Sequence, residues 1–388
     1  MTNIFYSKDF FLSNIDVNSA KDFISYAASN KINLILISHS DINSNSDIIK
    51  FLGPLVPEKD MHGFQFLTRE KSKISDFIKN NPGKNIFIGN KEEDLFKASS
   101  LKCLYLCPMW TDNIDEKSKK YGIHIKDLKH LIQVIQILIN QNAFYYELKI
   151  NNVSTVYALT SANNISATED ENSVINAFRS TLKNGNSKYL DAITLYLLSG
   201  IMSLPEIMET EIWGIMPSSG TNINEEMSQI LTQCRYLTDR RLKEPLLIRH
   251  TPTQKSHWTE PSTRLSVGAL KHLKSIKINP KYRGKITGKK ITILDDYITN
   301  GCSFEAVRNL LISAGASEVN FIAIGRFKSR KYNGLGIYQK EEYSLTGDLF
   351  SDNYTSSLSK RESDYGLHGK YNVDARQDVE NLKDILEL

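Results

Sequence analysis

Two adjacent acids, Asp295 and Asp296, stand directly after an apolar run in which Ile291, Ile293 and Leu294 have the composition of a buried strand. Thr299, Asn300, Gly301, Cys302 and Ser303 follow as a short loop. Beyond them Val307, Leu310, Leu311 and Ala314 recur at helical spacing, and Gly315 closes the pattern as a C-cap. Carboxylates at the end of a strand in an open parallel sheet face the ligand crevice. The loop before the helix offers backbone N–H groups and the positive end of the helix dipole, which together make an anion site. Gly301 lets the backbone approach an oxygen cluster, and Thr299 and Ser303 add hydroxyl donors. Carboxylates that accept from hydroxyls, placed beside a phosphate site, suit a ribose 5-phosphate.

This segment, GKKITILDDYITNGCSFEAVRNLLISAGASEV (288–319), resembles the signature of type I phosphoribosyltransferases: an apolar strand, two acids, then a Thr-x-Gly-x-Thr/Ser loop. Asn300 and Cys302 fill its variable slots. The resemblance implies that Asp295 and Asp296 hold the ribose 2′ and 3′ hydroxyls alongside Mg2+, and that residues 299–303 hold the 5-phosphate. It extends upstream, where IWGIMPSSGTN looks like the first sheet strand and pyrophosphate loop, with Ser218, Ser219 and Gly220 at the turn. The stretch LLIRHTPTQKSHWTEPSTRLSVGAL resembles the flexible loop of ComF-like members, with Arg249, Thr251, Gln254 and Arg264 at matching places. Arg249, Gln254 and Arg264 are then expected on pyrophosphate, in a loop that covers the ligand and releases it.

The implied function is binding of 5-phosphoribosyl pyrophosphate (PRPP), or of a nucleotide carrying ribose 5-phosphate, and transfer of the phosphoribosyl group with Mg2+ to a small-molecule acceptor that the sequence does not identify. No residue announces itself as a catalytic base. Two alternatives stay open: a non-catalytic sensor of PRPP or nucleotide, and a nucleotide-cleaving enzyme in a stress or phage-defence system.

The N-terminal region carries a second resemblance, to haloacid-dehalogenase (HAD) phosphatases. The run NLILISHS reaches Ser38 as that family's second motif does, Lys71 or Lys73 matches its lysine, and GNKEED (89–94) resembles its acidic fourth motif. Asn90 replaces the first acid of that motif. The nucleophilic Asp-x-Asp is missing, with only Asp9 near its place. Without the nucleophile this chemistry does not run, which implies a degenerate scaffold or sensor.

The elements needed to position these residues follow from periodicity. Strand candidates alternate with helical stretches over 20–110, which predicts a parallel sheet with crossover helices. Leu128, Leu131, Ile132, Ile135, Leu138 and Ile139 share one face of a helix over 125–142. The segments 143–150 and 153–159 read as a hairpin about Asn151-Asn152, and 161–173 as a loop ahead of a helical stretch through about 204. Strands are expected at 211–217 and 245–250, a polar mobile loop at 251–264, and a terminal helix in VENLKDILEL. The expected fold is α/β, a Rossmann-like (HAD-like) N-terminal domain plus a C-terminal type I phosphoribosyltransferase-like parallel-sheet domain. The expected segments are 1–125, a helical and hairpin connecting region at 126–204, 205–330, and an extension at 331–388 that is a candidate hood over the acceptor.

Composition bounds the rest. A chain of 388 residues and 44.1 kDa exceeds one ordinary domain. With 40% hydrophobic and 24% charged residues it has the balance of a globular protein. No apolar run is long enough for a membrane span, and the N-terminus lacks the pattern of a secretory signal. Cys103, Cys107, Cys234 and Cys302 form no disulfide framework, which with the missing signal predicts a cytoplasmic protein. The net charge of +4 permits anionic ligands without pointing to nucleic acid, and homo-oligomerisation stays open.

Overall fold

The computed structural model describes residues 1–13, 15–39, 50–55, 64–141, 144–164, 167–220, 224–253, 266–328, 337–362 and 367–386. The chain forms two units. The first is Met1–Gln141 with Asp191–Met202 and Gln233–Asp239, and the second is Asn142–Leu190 with Ser203–Thr232 and Arg240–Leu388. Among the described residues no helix is long and apolar enough to cross a membrane.

The first unit is built on strands β1 (Thr2–Tyr6), β2 (Ile32–Ser38), β3 (Phe64–Thr68), β4 (Lys84–Ile88), β5 (Leu104–Pro108) and β6 (Ile123–Ile125). They lie in the order β3-β2-β1-β4-β5-β6, every neighbouring pair parallel, a Rossmann-like sheet. All five residues of central β1 are buried, as a strand covered on both faces requires. The helix Val17–Ser29 begins where the Asp16 carboxylate accepts the Ser19 N–H at 2.9 Å. The helix expected over 125–142 is Leu128–Asn140, capped by Asp127, and its three-and-four spacing buries Leu131, Val134, Ile135 and Leu138.

The second unit contains the hairpin β7 (Tyr146–Asn151) and β8 (Ser154–Ser161), then β9 (Ile212–Ile215), β10 (Leu247–Arg249), β11 (Ile276–Ile278), β12 (Lys290–Ile298), β13 (Glu318–Arg326), β14 (Glu341–Thr346), β15 (Thr355–Arg361) and β16 (Lys370–Tyr371). Its main sheet has the order β16-β7-β8-β13-β12-β9. The four strands from β8 to β9 are mutually parallel, while β7 and β16 add antiparallel strands at one side. Two small antiparallel ladders, β10-β11 and β14-β15, stand apart from it.

Four expectations shift. The polar stretch 161–173 is not all loop, because the helix Glu169–Asn184 starts inside it. Thr168 accepts the Glu171 N–H at 3.1 Å, and acids at 169–171 favour a helix start through the dipole. The helical stretch through 204 is interrupted by Gly185, a left-handed C-cap at φ 72°, and resumes at Leu190–Ile201. The terminal helix is two short ones, Asp374–Glu380 and Lys383–Leu386. β12 runs on through Ile298, so the acid pair lies within the strand and not at its last residues.

Candidate functional site

The position of the acid pair follows from the unequal lengths of neighbouring strands. β9 pairs with β12 only from Ile291 to Leu294, whereas β13 pairs with it through Ile298. Where β9 stops, the carboxylates take over as acceptors. Asp295 Oδ1 accepts the Asp296 N–H at 2.9 Å, and Asp296 Oδ1 accepts the Tyr297 N–H at 2.6 Å. Both side chains are half-buried. Burial, with the Asp296 charge beside it, pushes the Asp295 carboxyl well above the usual carboxylate range, and Lys183 opposes this. The remaining Asp296 oxygen, Oδ2, is paired with the Lys183 ammonium.

The next loop turns at Gly301, whose φ of 76° lies in the left-handed region. The helix Cys302–Ser313 starts there, with the Glu305 N–H donating to the Gly301 carbonyl at 2.8 Å. It packs on the sheet through Phe304, Val307, Leu310 and Leu311, and Phe304 stacks on Phe321 of β13 at 4.6 Å. Side chains of this kind, fully buried, each contribute roughly 1.5–3 kcal/mol. Residues 299–303 thus lead out of a buried strand into a buried helix, the geometry of an anion cradle. Burial, then Glu341 and Glu305, push the Cys302 thiol up to about 12, which disfavours its thiolate.

Gly301 has a second constraint. A Cβ there would lie 2.0 Å from the ring of Tyr338, which is fully buried. Tyr338 Oη donates to Glu305 Oε1 at 2.8 Å, and the Gln339 N–H donates to the Asn300 carbonyl at 2.9 Å. Glu305 also takes two bonds from Arg308, at 2.8 and 2.6 Å, and the Glu341 N–H at 2.9 Å. Glu341 accepts from the Ala269 N–H, Tyr343 Oη and Arg361 Nε at 2.7, 2.8 and 2.7 Å. Buried carboxylates are tolerable because each is surrounded by donors. The C-terminal strands therefore brace the loop and the start of its helix.

Ser218, Ser219 and Gly220 follow β9, and Met216 donates its N–H to the Leu294 carbonyl at 2.8 Å. Their loop leaves the same end of the sheet as 299–301. Arg249, at the end of β10, is buried and holds this loop: Nε donates to the Ser218 carbonyl and Nη2 to the Pro217 carbonyl, while Nη1 reaches Ser275 Oγ at 2.6 Å. Burial pulls its guanidinium down, and the Asp295 charge opposes that. Thr253 donates its N–H to the Ser219 carbonyl at 2.8 Å. Gln254 and Arg264 lie outside the described residues. Burial, with Arg249 and Lys271 nearby, pushes His272 down to about 3, so its imidazole is neutral and a poor proton acceptor.

The structure thus places Asp295 and Asp296 on the strand that leads into the 299–303 loop, and ties Pro217 and Ser218 to Arg249 and Ser219 to Thr253. Sequence reasoning missed Lys183, which reaches Asp296 from 113 residues upstream, and Tyr338, Glu305 and Glu341. Only the pairing of an acidic helix start with Gly301 hinted at Glu305.

Three of the four oxygens of the acid pair are engaged by N–H groups or by Lys183. As arranged, the pair does not fit a bound magnesium ion, which needs near-octahedral oxygen ligands. Among the described residues no group of three or more His, Cys, Asp or Glu side chains is placed to hold a metal ion.

In the first unit, Ser38 ends β2, and Lys71 and Lys73 are exposed on the helix Lys71–Asn80. Asn90 is buried and donates to the Asp112 carbonyl at 3.0 Å. Asp94 is fully buried and paired with Arg69. Burial pushes its carboxyl up, against the pull of Arg69. Asp9 opens the four-residue helix Asp9–Leu12 after β1. No protein-family model matches the chain, and no curated protein matches it.

Proposed function

We propose that the second unit binds 5-phosphoribosyl pyrophosphate, or a nucleotide with a 5-phosphoribosyl group, and transfers that group to a small acceptor. One observation carries this: two adjacent carboxylates on β12 stand two residues ahead of a loop that turns at a positive-φ glycine into a buried helix. Asp295 and Asp296 would accept from the ribose hydroxyls. The N–H groups of 299–303, with the Thr299 and Ser303 hydroxyls, would hold the 5-phosphate. Ser218, Ser219 and Gly220 would meet the pyrophosphate in a loop positioned by Arg249. Catalysis would then rest on orientation and charge neutralisation of the leaving group. Magnesium would supply part of that neutralisation at the pyrophosphate.

The test is pyrophosphate release from 5-phosphoribosyl pyrophosphate with a panel of nucleobase and amine acceptors. Release that depends on an acceptor supports transfer. A specific observation favours a second reading, binding without turnover: Arg249 directs three donors to Ser218, Pro217 and Ser275 instead of leaving them for a ligand. Tight binding with no release for any acceptor would select this sensor role. In either case the first unit serves as a non-catalytic HAD-like scaffold, since Asn90 and Asp94 are absorbed by internal bonds.

A further inference from the structure

Lys183 lies one residue before the end of the helix Glu169–Asn184, where the dipole favours a cation. Its ammonium has three fixed neighbours. It pairs with Asp296 Oδ2, it stands 5.4 Å from the centre of the Tyr297 ring, and its charge acts on Asp295. The Tyr297 ring in turn packs on Phe327 at 5.4 Å, and Arg179, one turn earlier on the same helix, stands 6.0 Å over Phe327. Arg179 also donates to the Ala162 carbonyl at 3.0 Å. Both ends of the helix are tied down. Arg376 Nε bonds both oxygens of Glu171 at 2.9 Å, and Asn224 Nδ2 caps the Leu182 carbonyl at 3.2 Å. Lys183 is therefore aimed at the acid pair by a rigid support, although it is half exposed.

Lys183 is paired directly with Asp296, and Arg249 and Asp295 feel each other's charge. A divalent ion would meet an acid pair that already has a cation beside it and N–H groups or an ammonium on three of its four oxygens. An ammonium has three donors. With one on Asp296, two remain for the oxygens of a vicinal diol whose own hydroxyls donate to the carboxylates.

We propose that Lys183 is the resident cation of the acid pair and takes the place of a divalent metal there, so that the ribose hydroxyls are bound at Asp295 and Asp296 without Mg2+. The inference rests on the phosphoribosyl-binding reading, and ribose 5-phosphate separates the two because it has no pyrophosphate to chelate magnesium. Calorimetry on the full chain with ribose 5-phosphate, in EDTA and in Mg2+, is the experiment. Wild type is expected to bind equally in both, within about twofold. Lys183→Met is expected to weaken binding in EDTA by about tenfold or more, with part restored by Mg2+, while its thermal unfolding stays that of wild type. Wild-type binding that is lost in EDTA and restored by Mg2+ would overturn the role of Lys183 and leave the phosphoribosyl site standing. Unchanged affinity of Lys183→Met in EDTA would overturn it equally. No binding by wild type in either buffer would overturn the phosphoribosyl reading itself.

Discussion

Both units place acids near the carboxyl ends of parallel strands, yet they treat them in opposite ways. After β4 in the first unit, Asp94 is sealed in a pair with Arg69, and a Cβ on Gly89 would lie 2.4 Å from its carboxyl carbon. On β12 in the second, Asp295 and Asp296 stay half-buried where β9 stops short, and their cation is a half-exposed lysine. A sheet of this type offers a crevice, but the crevice becomes a site only where its charges are left reachable. The first unit turns its charge inward, and the second leaves its charge partly exposed beside a lysine.

That contrast breaks most readily at Arg69. Arg69→Ala leaves Asp94 buried and unpaired, and should destabilise the first unit by about 3–5 kcal/mol. Hydrogen exchange should speed up in β4 and β5 while β12 and β13 keep their protection. Unchanged exchange in β4 would mean that Asp94 is not sealed.

A smaller loss is expected at Gly301. Alanine must adopt a left-handed backbone and push on a fully buried Tyr338 ring, costing about 2 kcal/mol or more. Urea unfolding of the second unit reads this, and ribose 5-phosphate affinity should fall with it. A stable Gly301→Ala variant that binds normally would show that the loop is not braced as described.

Asp295 should behave as a residue retained against stability. Its folded-state carboxyl is raised by burial and by Asp296, so the native state binds a proton more readily than the unfolded chain. Stability is then lost as pH rises from the ordinary carboxylate range through the raised value. Asp295→Asn should remove that loss and gain about 0.5–2 kcal/mol at neutral pH, measured as the urea midpoint from pH 4 to pH 8. A destabilised variant would place Asp295 among the structural acids, with Asp94.

The smallest effect belongs to His124, held at 2.9 Å by Asp191 within the first unit and raised above its ordinary value chiefly by that bond. Its contribution is present below about pH 6.5 and fades as pH rises through the raised value. The pair is partly exposed, so the change should stay under about 1 kcal/mol. Asp191→Asn should flatten it, and an unflattened profile would assign the pH dependence to another group.

Much of this was legible in the residues because it is local. The run before Asp295, the loop at 299–303 and the helix after it announce themselves by spacing within some twenty-five residues, and the hairpin about Asn151 does the same. Asp295 and Asp296 were expected at the strand's last residues, because the pairing of Tyr297 and Ile298 with Gly325 and Arg326 depends on a strand far along the chain. Lys183 was invisible for the same reason: nothing near residue 183 marks it as the partner of residue 296. Arg249 was expected on pyrophosphate, and its bracing of the loop was not legible, since its carbonyl partners at 217 and 218 are set by tertiary folding.

The central claim, that the acid pair of the second unit holds a phosphoribosyl ligand, is tested most directly by calorimetry of 5-phosphoribosyl pyrophosphate against the full chain and against Asp295→Asn combined with Asp296→Asn. Each substitution removes a charge-assisted hydrogen bond worth roughly 1.5–3 kcal/mol. The double variant should keep its fold, by circular dichroism, and lose affinity by about 100-fold or more. Equal affinity in the wild type and the double variant would contradict the assignment.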